Sequence, residues 1–362
     1  MGNAAGRRGY LDWVRGLAVL VMIQAHVIDS WTRLDARHTW QFAWAMIVGG
    51  FGAPLFLFLA GVSVALSAGS KSRRIGDDSA AAVVVMKRGG WIFFLAFLFR
   101  VQSWILGWGA LRSLLKVDIL NIMGPSIVAT AAIWGALRSP VSRSVVFAGM
   151  ASAISLLTPL VRTTQILTVL PDPIEAYIRP LTGYSSFCIF PWAAFVFAGA
   201  CIGVWLDQAR APDRESRVNK WLAVAGVGLA SIAYAASFLP SPYPHSEFWG
   251  GSPAFFAIRV GVLIATIPFA YCWEQWVTRP AWSPMEQLGR TSLFIYWIHV
   301  EMVYGLISLR IHKTLTHPQA WAAYFAFVLL MLLLSIEKDR IVRWWRTRGD
   351  RQNAYLIESS TF

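Results

Sequence analysis

Six ionisable side chains that could carry chemistry lie inside or at the ends of apolar runs: Asp12, Arg15, His26, Arg100, Arg259 and His299. The first thirty residues read Leu11-Asp12-Trp13-Val14-Arg15-Gly16, then nine mostly apolar residues, then His26. Eleven residues at about 100° each return to within roughly 20° of the start, so Arg15 and His26 share one helix face. Asp12, three residues before Arg15, is placed to orient it. A neutral imidazole exchanges protons near neutrality, and a guanidinium holds a phosphate or a developing oxyanion. Ionisable groups in a bilayer are costly and by default face a protein interior or a wet cavity. The plainer alternative is a buried His26 bonded to a neighbouring helix, with Arg15 reaching to the headgroups.

The elements that must position these residues are membrane helices. Of 362 residues, 56% are hydrophobic and only 14% charged, with 22 Phe and 19 Trp. That charged fraction is far below the roughly 25% of soluble domains, and apolar runs of spanning length recur throughout. The expected fold is an all-α polytopic integral membrane helix bundle, a single domain over 1–362. Ten spans are expected at 13–31, 43–66, 89–108, 119–137, 144–161, 187–206, 221–239, 255–276, 291–310 and 319–336. An N-terminus inside assigns 21 Lys and Arg to the cytoplasmic stretches against 8 outside, so both termini are expected in the cytoplasm, with tails of about 1–12 and 337–362. The net charge of +13 is therefore read as loop bias, with no nucleic-acid partner.

Cys188, Cys201 and Cys272 all lie in apolar runs and show neither disulfide nor metal-ligand spacing, so no metal is expected. Arg7 and Arg8 before an apolar core resemble a signal peptide, but no small-residue cleavage site follows and a retained first helix is expected. Gly2 invites myristoylation, which Gly6 argues against. The outer connection 162–186 is expected to form an interfacial segment, because Ile174, Tyr177 and Ile178 recur at helical spacing. There is no soluble domain, low-complexity tract or short-period repeat.

In this topology His26 comes out roughly 20 Å above the inner face, Arg100 roughly 17 Å and His299 about 12 Å, with Arg259 in the outer turns of its helix. These four groups are expected around one wet cavity; the alternative is scattered structural pairs, with Arg259 reaching outward. Gly49, Gly50, Phe51, Gly52, Ala53 and Pro54 predict a break in the second span, as a channel lining or as close packing. Asp118 and Asn121, at i and i+3, either bond a polar acceptor or cap the fourth span. Ser292, Tyr296 and His299 form one stripe on the ninth. Arg290 at its inner mouth could meet a phosphate or simply obey the positive-inside preference. His38, beside Trp40 in the first outer loop, is solvated or catalytic.

At these residues the chain resembles the heparan-α-glucosaminide N-acetyltransferase catalytic-domain family, within the wider transmembrane acyltransferase superfamily. The similarity rests on Asp12-x-x-Arg15-Gly16 with His26, the stretch Gly52-Ala53-Pro54-Leu55-Phe56-Leu57-Phe58-Leu59-Ala60-Gly61, and Asp118-Ile119-Leu120-Asn121-Ile122-Met123-Gly124. Phe190-Pro191-Trp192 and Leu288-Gly289-Arg290-Thr291-Ser292-Leu293 with Tyr296 and His299 complete an ordered set over most of the chain. The resemblance implies ten or eleven helices that take an acyl group from cytoplasmic acyl-CoA and hand it to an acceptor, often a sugar, on the far side. It also implies departures. The eukaryotic heparan enzyme has Asn in place of His26 and its catalytic His in the following outer loop, which sets His38 in competition with His26. No lumenal domain precedes the first helix here, so heparan itself is not the expected acceptor.

The expected activity is acyl transfer from cytoplasmic acyl-CoA, with acetyl-CoA the expected donor, to a hydroxyl or amine of an extracytoplasmic sugar or glycoconjugate. His26 is the candidate base, with His38 and His299 as further catalytic candidates, and Arg100 or a backbone donor near the Gly49–Pro54 break would hold the oxyanion. Asp12, Arg15 and Arg290 are candidates for the donor's phosphates, and Asp118, Asn121 and Arg259 for the acceptor. The expected setting is the lipid bilayer of a bacterial inner membrane, and a homodimer is compatible with the sequence. A secondary transporter is the alternative from another class. It is disfavoured because no second Gly/Pro-interrupted span matches the first. A non-catalytic scaffold would leave the buried ionisable groups without a purpose.

Overall fold

The computed structural model describes residues 8–107, 110–277 and 282–359, the side chains of 348–359 excepted. Gly2, Gly6, Arg7 and the last three residues of the expected C-terminal tail lie outside the described residues. The fold is all-α, and among the described residues strand-like pairing is confined to the isolated bridges Thr32–Leu315 and Val117–Ser185. In chain order the helices are α1 (Gly9–Trp31), α2 (Trp40–Gly49), α3 (Gly52–Ile75), α4 (Asp78–Gly107), α5 (Ile119–Ala136), α6 (Pro140–Thr163) and α7 (Asp172–Ile178). There follow α8 (Ile189–Gln208), α9 (Pro212–Ala236), α10 (Phe248–Gly251), α11 (Pro253–Trp276), α12 (Pro284–Arg290), α13 (Ser292–Tyr304) and α14 (His317–Ser359). Local chemistry sets many of these ends. Ser139, Ser252 and Ser283 cap helices whose first residue is proline, where the missing N–H costs nothing. Gly76, at φ 82°, closes α3 in the left-handed conformation that glycine adopts without strain.

Among the described residues nine segments are long and apolar enough to cross a membrane, with α2 and α3 counted as one, so this is an integral membrane protein. The expected break in the second span occurs at Gly50 and Phe51, between α2 and α3. The expected segment around 174–178 is helical as α7. The expected ninth span, 291–310, differs from a plain span. Only 13 residues are α-helical there, α12 precedes them across a break at Thr291, and Gly305 passes the chain into the 3-10 turn Leu306–Ile311.

The chain divides into two compact units, Met1–Leu11 with Gly50–Thr278, and Asp12–Gly49 with Arg279–Phe362. In the first, α3 lies on α8 through glycine. A Cβ on Gly61 would stand 1.9 Å from the Val196 carbonyl oxygen, and one on Gly199 1.8 Å from that of Phe58. Neither position admits a side chain while the helices stay this close. Ion pairs tie helix ends in the same unit: Arg73 to Asp207 through two bonds of 2.7 and 2.8 Å, and Arg143 to Asp78 at 2.6 Å, with the Arg143 guanidinium 3.6 Å from the Trp134 ring centre. The three cysteines are free.

In the second unit α1 and α13 run parallel. His26 meets His299 and Ser30 meets the Val303 carbonyl, both at a separation of 273 residues, which Gly16 and Gly289 also share. The Val303 carbonyl, left orphaned as α13 ends, also accepts from the indole of Trp31 at 3.1 Å and from Ser308 at 2.7 Å. Helix α14 runs the other way. Its Ala320 packs with Ile28 and Ala45 near the end of α1, Tyr324 donates to the Leu20 carbonyl, and Ser335 and Asp339 accept from Gln287 at 2.9 Å each.

Candidate active site

The glycine contact between α1 and α12 brings together two stretches separated by most of the chain. A Cβ on Gly16 would lie 2.1 Å from the Met285 carbonyl oxygen, and one on Gly289 1.9 Å from that of Asp12. The Asp12-x-x-Arg15-Gly16 turn and Leu288-Gly289-Arg290 therefore meet backbone to backbone. Arg15 Nη1 donates to the buried Asp12 carboxylate at 2.5 Å, within a single turn of α1. Arg290 closes α12 with its guanidinium 4.0 Å from Glu286, a loose contact on a partly exposed side chain. All three residues expected to hold the donor's phosphates thus belong to one unit and to two touching helices.

Further along α1, where α13 follows α12 across the break at Thr291, the two imidazoles meet. His26 Nδ1 and His299 Nε2 are 2.9 Å apart, and the rings lie nearly parallel, at 4°, with centroids 5.1 Å apart. His299 is fully buried and His26 half-buried. His299 Nδ1 is 2.8 Å from the Ile295 carbonyl of its own helix. Tyr304 sets its ring edge-on to His26 at 5.4 Å, and Tyr296 lies edge-on to His299 at 6.0 Å. The arrangement can hold one imidazole in place by another and move a proton at the half-buried ring.

Above the pair, the loop after α1 is tied down by contacts that sequence reasoning missed. Arg37 donates to the Asp29 carbonyl and lies 3.5 Å from its carboxylate, while Tyr304 donates to the same carboxylate at 3.4 Å. His317 stands 2.7 Å from the Thr39 hydroxyl and 2.9 Å from the Ala36 carbonyl. His38, the competing loop histidine, is exposed at the end of the 3-10 turn Asp35–His38. It is His317 that is built into the packing there.

The remaining expected site residues lie in the first unit. Arg100 donates to Asp118 at 2.7 Å, both side chains being mostly buried. Asp118 also caps α5, accepting from Ile119 N–H at 2.7 Å, while Asn121 accepts from the Asp118 N–H at 2.9 Å. The capping and polar-contact readings of these residues are therefore both realised, with Arg100 as the polar partner. Asn121 donates onward to the Tyr177 hydroxyl at 3.1 Å, and burial pushes that phenol's pKa up. An apolar recess of about 300 Å³ opens beside them, lined by Phe97, Leu114, Ile174 and Ile178 with Lys116 at its edge. Arg259 stands with its guanidinium carbon 3.9 Å from the Phe255 ring centre. Of the four groups expected around one cavity, the structure joins His26 to His299, and Arg100 and Arg259 each have neighbours of their own. Among the described residues no cluster of three or more His, Cys, Asp or Glu is placed to hold a metal.

Residues 7–235 match the protein family described as heparan-alpha-glucosaminide N-acetyltransferase, catalytic, and the match does not extend over the rest of the chain. No curated protein matches the chain at a significant level.

Proposed function

We propose acyl transfer, on the premise that the chain belongs to the heparan-alpha-glucosaminide N-acetyltransferase catalytic family. Membership supports a transferase activity in general terms, carried by an integral membrane protein. The finer reading is a membrane-embedded acyltransferase that moves an acyl group, acetyl first among them, from cytoplasmic acyl-CoA to an extracytoplasmic hydroxyl or amine. A sugar or glycoconjugate is the acceptor class proposed. The setting is a bacterial inner membrane with both termini inside. Helix α14 opposing α1 supports an even number of crossings, which the broken α12–α13 segment brings to ten.

His26 is the proposed base. As the acceptor oxygen or nitrogen bonds to the thioester carbonyl carbon, its proton passes to His26 Nε2. The tetrahedral intermediate then collapses with cleavage of the carbon–sulfur bond, and the departing thiolate takes the proton back from the imidazolium. Arg15, oriented by Asp12, and Arg290 are the proposed grips for the donor's phosphates, because the glycine contact holds their helices side by side. The single observation carrying the reading is the 2.9 Å contact between two imidazoles on parallel helices, with one ring half-open and the other fully enclosed. A structural histidine needs no second imidazole to satisfy it, whereas a base needs an orienting partner.

The test is release of free coenzyme A from acetyl-CoA by the purified protein in liposomes, with a panel of sugars inside. His26→Ala is expected to abolish release while leaving folding and membrane insertion intact, with the unfolding midpoint lowered only by the loss of the bond to His299. Full activity in that variant removes His26 from the mechanism. Solute uptake without thiol release would replace the transferase reading with transport.

A further inference from the structure

We infer that His299 is a positioning residue that fixes which nitrogen of His26 carries the proton, a role that rests on His26 being the base. The Ile295 carbonyl can only accept, so the 2.8 Å contact from His299 Nδ1 puts a hydrogen on that nitrogen. A neutral imidazole has one N–H, so His299 Nε2 then presents its lone pair. That lone pair lies 2.9 Å from His26 Nδ1, which must therefore be the donor. With Nδ1 protonated, the basic nitrogen of neutral His26 is Nε2. The chain of bonds starts at a helix carbonyl and ends by defining the atom that accepts the substrate's proton.

The Ile295 carbonyl anchors this chain because it sits one turn before His299 in α13, so both ends of the first bond are held by one helix. Complete burial of His299 removes water as a competing donor to its Nε2. When His26 takes a second proton, its Nδ1–H donates more strongly to the same lone pair, and that bond steadies the imidazolium. The part played by His299 is that of the third member in a nucleophile–base–orienter series, with an uncharged ring where a carboxylate is common. It touches neither donor nor acceptor, so its loss is felt through kcat and little through KM.

Nitrogen-15 spectra of the full chain in liposomes, with its six histidines labelled, read the tautomer directly. The expected spectrum at neutral pH has His26 protonated at Nδ1 and bare at Nε2, and His299 the same. In His299→Phe, which removes the acceptor, His26 is expected to revert to the Nε2–H form. That variant should lose on the order of 10²- to 10⁴-fold in kcat with KM nearly unchanged. His299→Gln, which restores an acceptor oxygen, should recover part of the loss. A wild-type His26 carrying its hydrogen on Nε2, or a tautomer indifferent to His299→Phe, overturns the inference even if acyl transfer stands. Unimpaired transfer by His26→Ala overturns the base assignment instead, and does so whatever the wild-type spectrum shows.

Discussion

Gly289→Ala tests whether the glycine contact holds the site together. The added Cβ would fall 1.9 Å from the Asp12 carbonyl oxygen and 2.9 Å from the Gly16 nitrogen. Both neighbours are backbone, so no side chain can turn aside and the helices must part by more than about 1 Å to regain ordinary contact. Overpacking of this kind costs about 1–3 kcal/mol. Replacing glycine by alanine in a helix gains roughly 0.5–1 kcal/mol on its own. Gly90→Ala is the control: it lies within α4, and a Cβ there meets nothing within 4 Å. The difference between the two variants therefore isolates the cost of prising α12 from α1. Denaturant unfolding in detergent, followed by tryptophan fluorescence, should show Gly90→Ala slightly steadier than the parent and Gly289→Ala weaker than Gly90→Ala by about 1–3 kcal/mol. A misplacement of about 1 Å costs on the order of 10²-fold in rate, so release of coenzyme A should fall by about that factor only in Gly289→Ala. Equal behaviour of the two variants would show that the close approach does not matter.

Arg100→Ala strands the Asp118 carboxylate in mostly buried surroundings and should cost about 3–5 kcal/mol. Arg100→Met combined with Asp118→Asn keeps a capping side chain and removes the stranded charge, so it should unfold later than Arg100→Ala alone; the reverse order would refute a paired role. Tyr177 has its folded pKa raised by burial, so the stability it contributes is complete below the ordinary tyrosine value near 10 and is lost as pH rises through the higher folded value. Tyr177→Phe should flatten that alkaline loss and also cost about 1 kcal/mol at neutral pH through the bond from Asn121, and an unaltered alkaline limb would exclude Tyr177 as its source.

The spans were legible because apolar runs bounded by serine, proline and charge leave little choice of local structure. The break at Gly50–Phe51 was legible for the same local reason. The segment at 291–310 was not, since its composition reads as a span while Thr291 and Gly305 interrupt the helix. His26 and His299 were each visible as misfits in apolar surroundings, but their partnership was not, because tertiary packing joins positions 273 apart. A usable signal was present: Gly16 precedes His26 by the same spacing as Gly289 precedes His299, and equal spacing is what two parallel helices require. Asp118 was readable as a cap or as a polar contact. Nothing local says that Arg100 allows it to be both. Arg37, Tyr304 and His317 carried no signal beyond ordinary loop and helix-end chemistry, and only the folded chain shows what they hold.

The parallel pairing of α1 with α12 and α13 makes an unbroken rod the splint for a jointed one. Helix α1 runs without interruption past the joint at Thr291, gripping the short piece through Gly289 and the longer piece through His299 and Val303. Flexing at the joint would shear one grip or the other, and a slip of a full turn, about 5.4 Å, would undo all of them. The second histidine therefore keeps its height relative to the first even though its own helix is fractured just below it.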